Sequence, residues 1–502
     1  MTAPTPATGG WEIRSWYLYY VGSNGLALFN FGPTAMQNLL QQAANAESGS
    51  LAFAGRRRDV NSIVLLANGM SFALQAVLFL VIGAYADFGT CRSNVLLFWS
   101  VVAYATGFAW LAVHEPARWR VGVGLYIVGL VAYQMTLTYW TAAFPSLARN
   151  TAHIRESRLE FESGAIAMSE LDRRDEKERS RLSNVAFWAQ SIGEVVMLAA
   201  AVAIMFSLAV DDSTANNNWG LSVLIAFATA CWLLLSMSWF ALEKKRPGRE
   251  IPQGQSLATV GFWQLREAAT QIWQLKQSLI YLTGYFLLSD SLNTSVTVIA
   301  TLQNEMVSYN TLTLTYLLLV GLVAQAVGIG TFWLVQQRLG LGAKTMFNAV
   351  MAAIVIIDAW GMVGNWTRRF GFHNVWEIWL YQAFYGLLVC PWYSYSQIII
   401  SSVTPKGHEF LFFSLFNIVG KSSSFIGPIV GSAMVDLSPG GSNKSAPFYF
   451  LFALSLISAV GIWIFLDLES SAREQDLFLY REHSHAAGAG DDGKSAVAVA
   501  KE

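Results

Sequence analysis

Glu194, Asp290 and Lys421 are ionisable side chains that stand inside long apolar stretches of this sequence. A charge in the middle of a membrane helix costs roughly 2.5 to 3.5 kcal/mol on insertion scales, so such residues pair with one another or face water. One interpretation is a structural ion pair that holds helices together. The other is a binding site in which Lys421 receives a carboxylate, while Asp290 or Glu194 receives an ammonium group or a proton. The second arrangement suits a zwitterionic solute.

Polar side chains accompany these groups at helical spacing. Because a helix turns about 100° per residue, residues three, four and seven apart share one face. Such stripes predict helix faces that line a cavity or contact another helix rather than lipid. The stripes are Ser23, Asn30, Thr34 and Gln37; Ser183, Phe187, Gln190 and Glu194; Asp290, Thr294, Thr297 and Thr301; and Asn417, Lys421 and Ser424. We expect the substrate-binding residues to be Lys421, Asp290, Asn293, Asn24, Gln190 and Glu194.

The elements that carry these residues are predicted to be membrane helices. Of the 502 residues, 54% are hydrophobic and only 13% are charged, whereas about a quarter of the residues of soluble proteins are charged. Crossing ~30 Å of hydrocarbon takes about 20 apolar residues in a helix, and open strands would leave backbone groups unpaired in lipid. The sequence therefore predicts an all-α membrane protein with twelve transmembrane helices, near 17–40, 60–86, 95–113, 120–144, 184–210, 220–241, 278–301, 311–336, 345–364, 376–402, 411–436 and 447–467.

Two long polar gaps organise the spans, and the second gap divides them six and six. Transporter folds commonly consist of such half-repeats, so we predict two six-helix bundles with pseudo-two-fold symmetry. The linker between them contains an amphipathic segment at 260–277 that we expect to lie on the membrane surface. The predicted parts are an amino tail at 1–16, a first bundle at 17–241 with a charged loop at 145–183, a linker at 242–277, a second bundle at 278–467 and a disordered tail at 468–502.

The distribution of basic residues predicts the orientation of the chain. Lys and Arg concentrate in the amino tail, the even-to-odd loops and the carboxyl tail, so both termini are predicted to be cytosolic. Arg56, Arg57 and Arg58 disagree, because this scheme places them on the far side. Two glycosylation sequons agree with it, because Asn365 and Asn443 both fall in far-side loops.

The loop after span two carries a motif. Residues 83–92 read GAYADFGTCR, which resembles the loop signature of the major facilitator superfamily, Gly-x-x-x-Asp-x-x-Gly-Arg-Arg, with Gly89 one place early and one Arg missing. The counterpart at 338–344 keeps only the glycines and the basic residues. The resemblance implies a major-facilitator-like fold in which Asp87 and Arg92 act as a gate on the cytosolic side.

A narrower resemblance covers spans ten and eleven. Residues 404–431, TPKGHEFLFFSLFNIVGKSSSFIGPIVG, resemble the autophagy-related protein 22 family. WYLY at 16–19, FPSLARN at 144–150, RLSNVAFWAQSIG at 181–193 and LLSDSLNTS at 287–295 agree in order along the chain. The resemblance implies a vacuolar membrane protein that exports amino acids, leucine among them, after autophagic protein breakdown. The chain departs from many relatives at 23–27 and at 56–58.

Several function classes lack their signatures. No GxxxxGK[ST] loop is present, so ATP-driven transport is not predicted. All six His residues fall in loops or the tail, no HExxH pair occurs, and no span offers Ser, His and Asp together, so we assign no metal, no cofactor and no enzyme activity. Nothing in the sequence predicts a nucleic-acid partner. We expect Cys91, Cys231 and Cys390 to be free thiols.

The prediction is a transporter that works by alternating access, with amino acids as substrates and membrane lipid as its surroundings. Proton coupling through Asp290 or Glu194 stays open. A facilitator of another solute, such as a peptide, sugar or drug, is one alternative. A non-transporting receptor or scaffold that senses vacuolar nutrients through residues 145–183 is another.

Overall fold

Helices occupy the predicted span positions in the computed structural model of this chain, and we keep the span numbers for them. Seven helices in the described part of the chain are long and apolar enough, by length and composition, to cross a membrane. The structure describes residues 6–47, 50–58, 60–82, 91–210, 212–246, 266, 270, 272–306, 311–405, 412, 415–416, 419–420, 423, 426–427, 430–431, 434, 443 and 445–480. The helices are Gly10–Gly22 and Gly32–Ala46 (span one), Val60–Ile82 (two), Arg92–Ala109 (three), Trp119–Ala142 (four), Met168–Ser207 (five), Thr214–Leu242 (six), Lys276–Met306 (seven), Thr311–Leu339 (eight), Ala343–Val363 (nine), Val375–Phe384 and Trp392–Ser402 (ten) and Pro447–Phe465 (twelve).

The helices form the two predicted bundles. In the first bundle, span one packs against spans five and six, and span four packs against spans two and three. In the second bundle, span twelve packs against spans seven and nine, and span nine packs against span ten. Span five packs against spans eight and ten and so joins the bundles. The predicted fold class is confirmed.

Two tryptophans fix span one against span four. The rings of Trp16 and Trp140 stack at 4.3 Å. Each indole N–H donates to the backbone carbonyl of the other residue, at 3.3 Å from Trp16 and 3.0 Å from Trp140. Buried indoles need such partners, because an unpaired N–H away from water is costly. The pair therefore satisfies its own polar atoms inside an apolar core.

Span one is longer than predicted, and it is broken. It starts at Gly10 rather than 17 because Glu12, in its polar first turn, pairs with Arg246 at 2.8 Å. The helix stops at Gly22, a π-helical segment covers Leu26–Phe31, and an α-helix resumes at Gly32. Gly25 lies between them at φ +94°, a conformation that favours glycine. The predicted amino tail at 1–16 is therefore too long at its carboxyl end.

The charged segment at 145–183 is helical, so the prediction of a loop was wrong. It forms the helices Phe144–Arg149 and Ala152–Glu162 and then the first four turns of the 40-residue helix of span five. Ion pairs at helical spacing stabilise this extension, among them Arg173 with Glu170 at 2.9 Å and Arg179 with Asp175 at 3.2 Å. The charged residues that were predicted to form a loop therefore form ion-paired helices.

The two ends of the described part of the chain lie at one face, which we call the terminus face. Thr8 N donates to Asn150 O at 2.8 Å, and Lys244 Nζ donates to Ala7 O at 2.8 Å. On the second bundle, Gln277 Oε1 accepts from Asp467 N at 2.8 Å. The tails and the linker ends therefore share one side of the molecule.

The carboxyl tail is helical over residues 468–480, where a disordered tail was predicted. This helix is held in place because Ser471 and Phe478 are buried and Gln475 Nε2 donates to Ser402 O at 2.8 Å. Residues 481–502 and most of the predicted surface helix at 260–277 lie outside the described residues, as do Asp87 and Lys421.

A two-stranded hairpin follows span one. Leu51–Phe53 pairs antiparallel with Arg56–Arg58. Arg57 donates to the backbone carbonyls of Glu47 (2.8 Å) and Ser50 (2.9 Å). One member of the arginine triplet that disagreed with the predicted orientation therefore caps the end of span one.

Candidate functional site

Asn24 stands at the break in span one. Its Oδ1 accepts from Leu26 N at 3.0 Å, and its Nδ2 donates to Met197 Sδ of span five at 3.1 Å. The broken helix leaves backbone groups without helical partners, and the side chain supplies one of them. Asn24 is buried. Asn24 therefore stabilises the backbone around the site, because its side chain is engaged with Leu26 and Met197.

Gln190 and Glu194 lie one turn apart on span five. Gln190 Nε2 donates to Glu194 Oε2 at 2.6 Å and approaches the Asn24 carbonyl oxygen at 3.5 Å. Glu194 is 3% exposed. Within the described residues no cation pairs with it. Gln190 and Glu194 of the predicted stripe thus form a connected polar pair at the middle of span five.

Gln325 of span eight completes this group from the second bundle. Its Nε2 donates to Ser191 Oγ at 2.8 Å and contacts Gln190 Oε1 at 3.4 Å. We call Asn24, Gln190, Ser191, Glu194 and Gln325 the central polar cluster. Sequence reasoning missed Gln325, although a single amide inside the apolar run of span eight was a usable signal.

Tyrosines surround the carboxyl of Glu194. Tyr20, Tyr133 and Tyr393 all lie close enough to interact electrostatically with it. Tyr20 stacks on Trp140 at 4.0 Å, which fixes its ring, while Tyr393 is 45% exposed. Phenol rings offer an apolar face and a polar edge. The surroundings of the cluster therefore suit a small solute that has both kinds of surface.

Asp290 is held by span eleven. The side chain is 2% exposed, and its Oδ1 accepts from Gly427 N at 3.0 Å. Span eleven needs glycine here, because a Cβ at Gly427 would lie 2.0 Å from Thr294 Oγ1. Asn293, three residues further on, is exposed. The structure thus joins span seven to span eleven at the predicted site, but it does not test a pair between Asp290 and Lys421.

The predicted gate residue Arg92 forms an ion pair inside the first bundle. Its Nη2 lies 2.6 Å from Glu243 Oε1, which follows the end of span six. Both side chains are mostly buried, at 12% and 4% exposure. This contact ties span three to span six at the terminus face. A gating role for Arg92 and Asp87 stays a prediction.

Contacts between the bundles continue along span five toward the terminus face. They run over about 22 Å, from Ser191 to Glu176, at 1.5 Å per residue. Ser183 Oγ lies 3.1 Å from Ser394 Oγ, which also donates to Asn184 Oδ1 at 2.8 Å. We call the following contacts the inter-bundle ladder: Ser183–Ser394, Asn184–Ser394, Gln336–Ser180 at 3.5 Å, Arg179–Ser401 at 3.1 Å and Glu176–Ala343 at 2.9 Å.

The two predicted glycosylation residues contact each other. Asn443 Nδ2 donates to Asn365 Oδ1 at 2.9 Å. Asn365 Nδ2 donates to the carbonyls of Met362 (3.1 Å) and Ser445 (3.0 Å), which uses both of its hydrogens. A glycan would replace one of those hydrogens, so this arrangement disfavours Asn365 as the acceptor.

The sequence matches a known family over most of its length. Residues 8–476 match the family described as "Vacuole effluxer Atg22 like". Autophagy-related protein 22 of Yarrowia lipolytica is 23% identical over 478 residues, covering 85% of this chain and 79% of that protein. Autophagy-related protein 22-1 of Phaeosphaeria nodorum is 22% identical and covers 94% of this chain and 92% of that protein.

Solved structures agree on the fold. The human organic anion transporter MFSD10 superposes with a TM-score of 0.56 at 14% identity, covering 90% of this chain and 99% of that one. The proton:xylose symporter XylE of E. coli, a member of the major facilitator superfamily, gives 0.60 at 13% identity, covering 91% and 96%. At such identities the likeness establishes the fold and leaves the solute open.

Proposed function

The chain belongs to the family of Atg22-like vacuole effluxers. We propose that it exports amino acids, such as leucine, from the vacuolar lumen to the cytosol. It is a multi-pass membrane transporter rather than an enzyme. The amino-acid substrate and the outward direction from the vacuole are the proposed parts. Both termini are proposed to be cytosolic.

One observation carries the proposal. A buried carboxyl, Glu194, and the two amides of Gln190 and Gln325 meet where span five of the first bundle contacts span eight of the second. A site between two half-repeats is where alternating-access transporters bind their solutes. A zwitterion fits this chemistry if Glu194 or Asp290 takes its ammonium group and Lys421 its carboxylate.

Alternating access requires the inter-bundle ladder to open. In the structure the ladder joins span five to spans eight, nine and ten on the terminus side of the central polar cluster. We propose that rocking of the bundles breaks these contacts and exposes the cluster to the cytosol. A gradient of amino acid would drive net efflux, and proton coupling at Asp290 or Glu194 is an additional proposal.

The test is release of labelled leucine, lysine and glutamate from proteoliposomes, with and without an inward-acid pH gradient. Wild-type chain is expected to release leucine, and Lys421→Ala is expected to release it several-fold more slowly. Gln41→Ala is the control, since Gln41 is exposed and donates to Asn45 on the same helix. A dependence on the gradient would support proton coupling.

The competing function is a non-transporting receptor. The helix Ala152–Glu162 and the charged first turns of the helix Met168–Ser207 favour it, because they form an ordered, ion-paired surface at the terminus face. Failure of folded wild-type protein to release any amino acid would reject the transport proposal and favour the receptor.

A further inference from the structure

Asp358 is a buried carboxyl that the site described above does not use. It lies in span nine with no exposed surface. Two serines of span seven contact it: Ser291 Oγ lies 2.8 Å from its Oδ2, and Ser295 Oγ lies 2.5 Å from its Oδ1. Ser455 of span twelve lies beside it as well. Three spans of the second bundle therefore meet at one carboxyl.

The one hydrogen of Ser291 cannot serve both an ionised Asp358 and the carbonyl of Leu451. Ser291 Oγ is also 3.0 Å from the carbonyl oxygen of Leu451. A hydroxyl has one hydrogen, and a carbonyl can only accept. When Ser291 donates to Leu451, the hydrogen between Ser291 and Asp358 must come from the carboxyl. A protonated Asp358 satisfies both contacts at once.

The charges around the site favour the same state. Within the described part of the chain, no Lys, Arg or His contacts Asp358, and Pro447–Phe465 contains no charged side chain. Of the nearby titratable groups, Tyr381 is a phenol, and Asp290 is bound to Gly427 instead. Glu377 accepts from Trp360 Nε1 at 3.0 Å and from backbone N–H groups. An ionised carboxyl here would be desolvated without a counter-charge.

A metal cation fits less well than a proton. Oxygen ligands surround a hard cation such as Ca²⁺ at about 2.3–2.6 Å. Ligand oxygens that share a cation therefore stand farther from one another than two oxygens that share a hydrogen. The oxygens here approach one another at 2.5 and 2.8 Å, which are hydrogen-bond distances. The contacts are those of a shared hydrogen rather than of a shared ion.

We propose that Asp358 is a proton-binding site whose neutral form docks span seven onto spans nine and twelve. Loss of the proton leaves a buried carboxylate, and Ser291 can then donate to Asp358 or to Leu451 but not to both, so one of these two contacts is lost and span seven is released. Ser291 directly follows Asp290, so release of span seven also moves the contact between Asp290 and Gly427. The proton site stands on its own contacts, whereas its link to transport rests on the proposed function.

Infrared difference spectra of the full chain in lipid vesicles, recorded from acidic to alkaline pH, test the site. Wild type is expected to show a protonated-carboxyl C=O band that disappears as the pH rises. The band should be absent from Asp358→Asn and present in the matched control Asp290→Asn. Ser295→Ala should shift the band without removing it.

The melting temperature gives a second readout that does not depend on transport. Wild type is expected to lose stability as the pH rises and Asp358 deprotonates, whereas Asp358→Asn, which keeps the shape of the neutral acid, should lose much less. A band that persists in Asp358→Asn would overturn the proposal, as would a band that responds to sodium at fixed pH. Leucine release without the band would overturn this inference alone.

Discussion

Glu176 accepts a hydrogen bond from the backbone N–H of Ala343 at 2.9 Å, although the two residues belong to different bundles. Ala343 is the first residue of span nine. A carboxylate is favourable at that position, because the first N–H groups of a helix lack helical partners and carry partial positive charge. The end of the inter-bundle ladder is thus a helix cap supplied by the other half of the molecule.

Glu176→Ala is expected to loosen the terminus face. A hydrogen bond to a charged group is worth about 1.5–3 kcal/mol, so its loss corresponds to roughly tenfold or more frequent opening. Hydrogen exchange measured by mass spectrometry should accelerate at the start of span nine and at residues 392–401. Glu170→Ala, which removes an exposed ion pair with Arg173 on the same helix, is the control. Equal exchange in the two variants would contradict a closing role for Glu176.

Gly427→Ala is expected to separate spans seven and eleven. The added Cβ would lie 2.0 Å from Thr294 Oγ1 and 2.9 Å from Asp290 Oδ1, and overpacking of this kind costs about 1–3 kcal/mol. Leucine release should fall about tenfold or more. Thr294→Ala in the same chain should restore part of it. Gly461→Ala, where an added Cβ has no neighbour within 4 Å among the described residues, should behave as wild type. Equal transport by the two glycine variants would show that the contact between Gly427 and Thr294 does not matter for transport.

The tail helix at 468–480 is expected to fray in acid. Ser470 Oγ donates to Asp467 Oδ2 at 2.6 Å, and Glu469 N donates to Oδ1 at 3.1 Å. The Ser470 hydrogen bond, above all, lowers the pKa of Asp467. A lowered pKa contributes stability above the unfolded pKa, and this contribution is lost as the pH falls through the folded pKa.

Limited trypsin cleavage after Arg473, carried out at neutral pH, measures how much the tail helix frays when the Asp467 cap is removed by mutation. Asp467→Ala should be cleaved several-fold faster than wild type, because the cap is lost. Glu469→Gln keeps the cap and serves as the control. A tail cleaved at the same rate in both variants would show that packing at Phe478, rather than the cap, orders it.

A single glycan at Asn443 is expected if the sequons are used at all. Both hydrogens of Asn365 Nδ2 are engaged with backbone carbonyls. Glycosidase treatment should therefore shift the mobility of wild type and of Asn365→Gln, but not of Asn443→Gln. A shift that disappears only in Asn365→Gln would contradict this assignment. Any glycan places this loop in the lumen and the terminus face in the cytosol.

Span positions and the stripe of Gln190 and Glu194 were predictable, because hydrophobic length and helical spacing are local properties of the sequence. Gln325 and Asp358 were missed, although each is a polar residue inside an apolar run, the same signal that marked Glu194. Their partners could not be predicted, because only tertiary packing supplies them. The helices within 145–183 were mistaken for a loop because charge was counted without its spacing. Glu170, Arg173 and Arg174 stand three and four apart and pair along one helix face.

We propose that the central polar cluster binds the transported solute. The most direct test of this proposal is the leucine concentration that gives half-maximal release from proteoliposomes containing Gln190→Ala, Gln325→Ala or the control Gln41→Ala. Loss of a hydrogen bond to a charged group predicts an increase of about tenfold or more for the first two variants, with no change for the third. Saturation at the wild-type concentration in both cluster variants, with folded protein and normal rates, would place the binding site elsewhere.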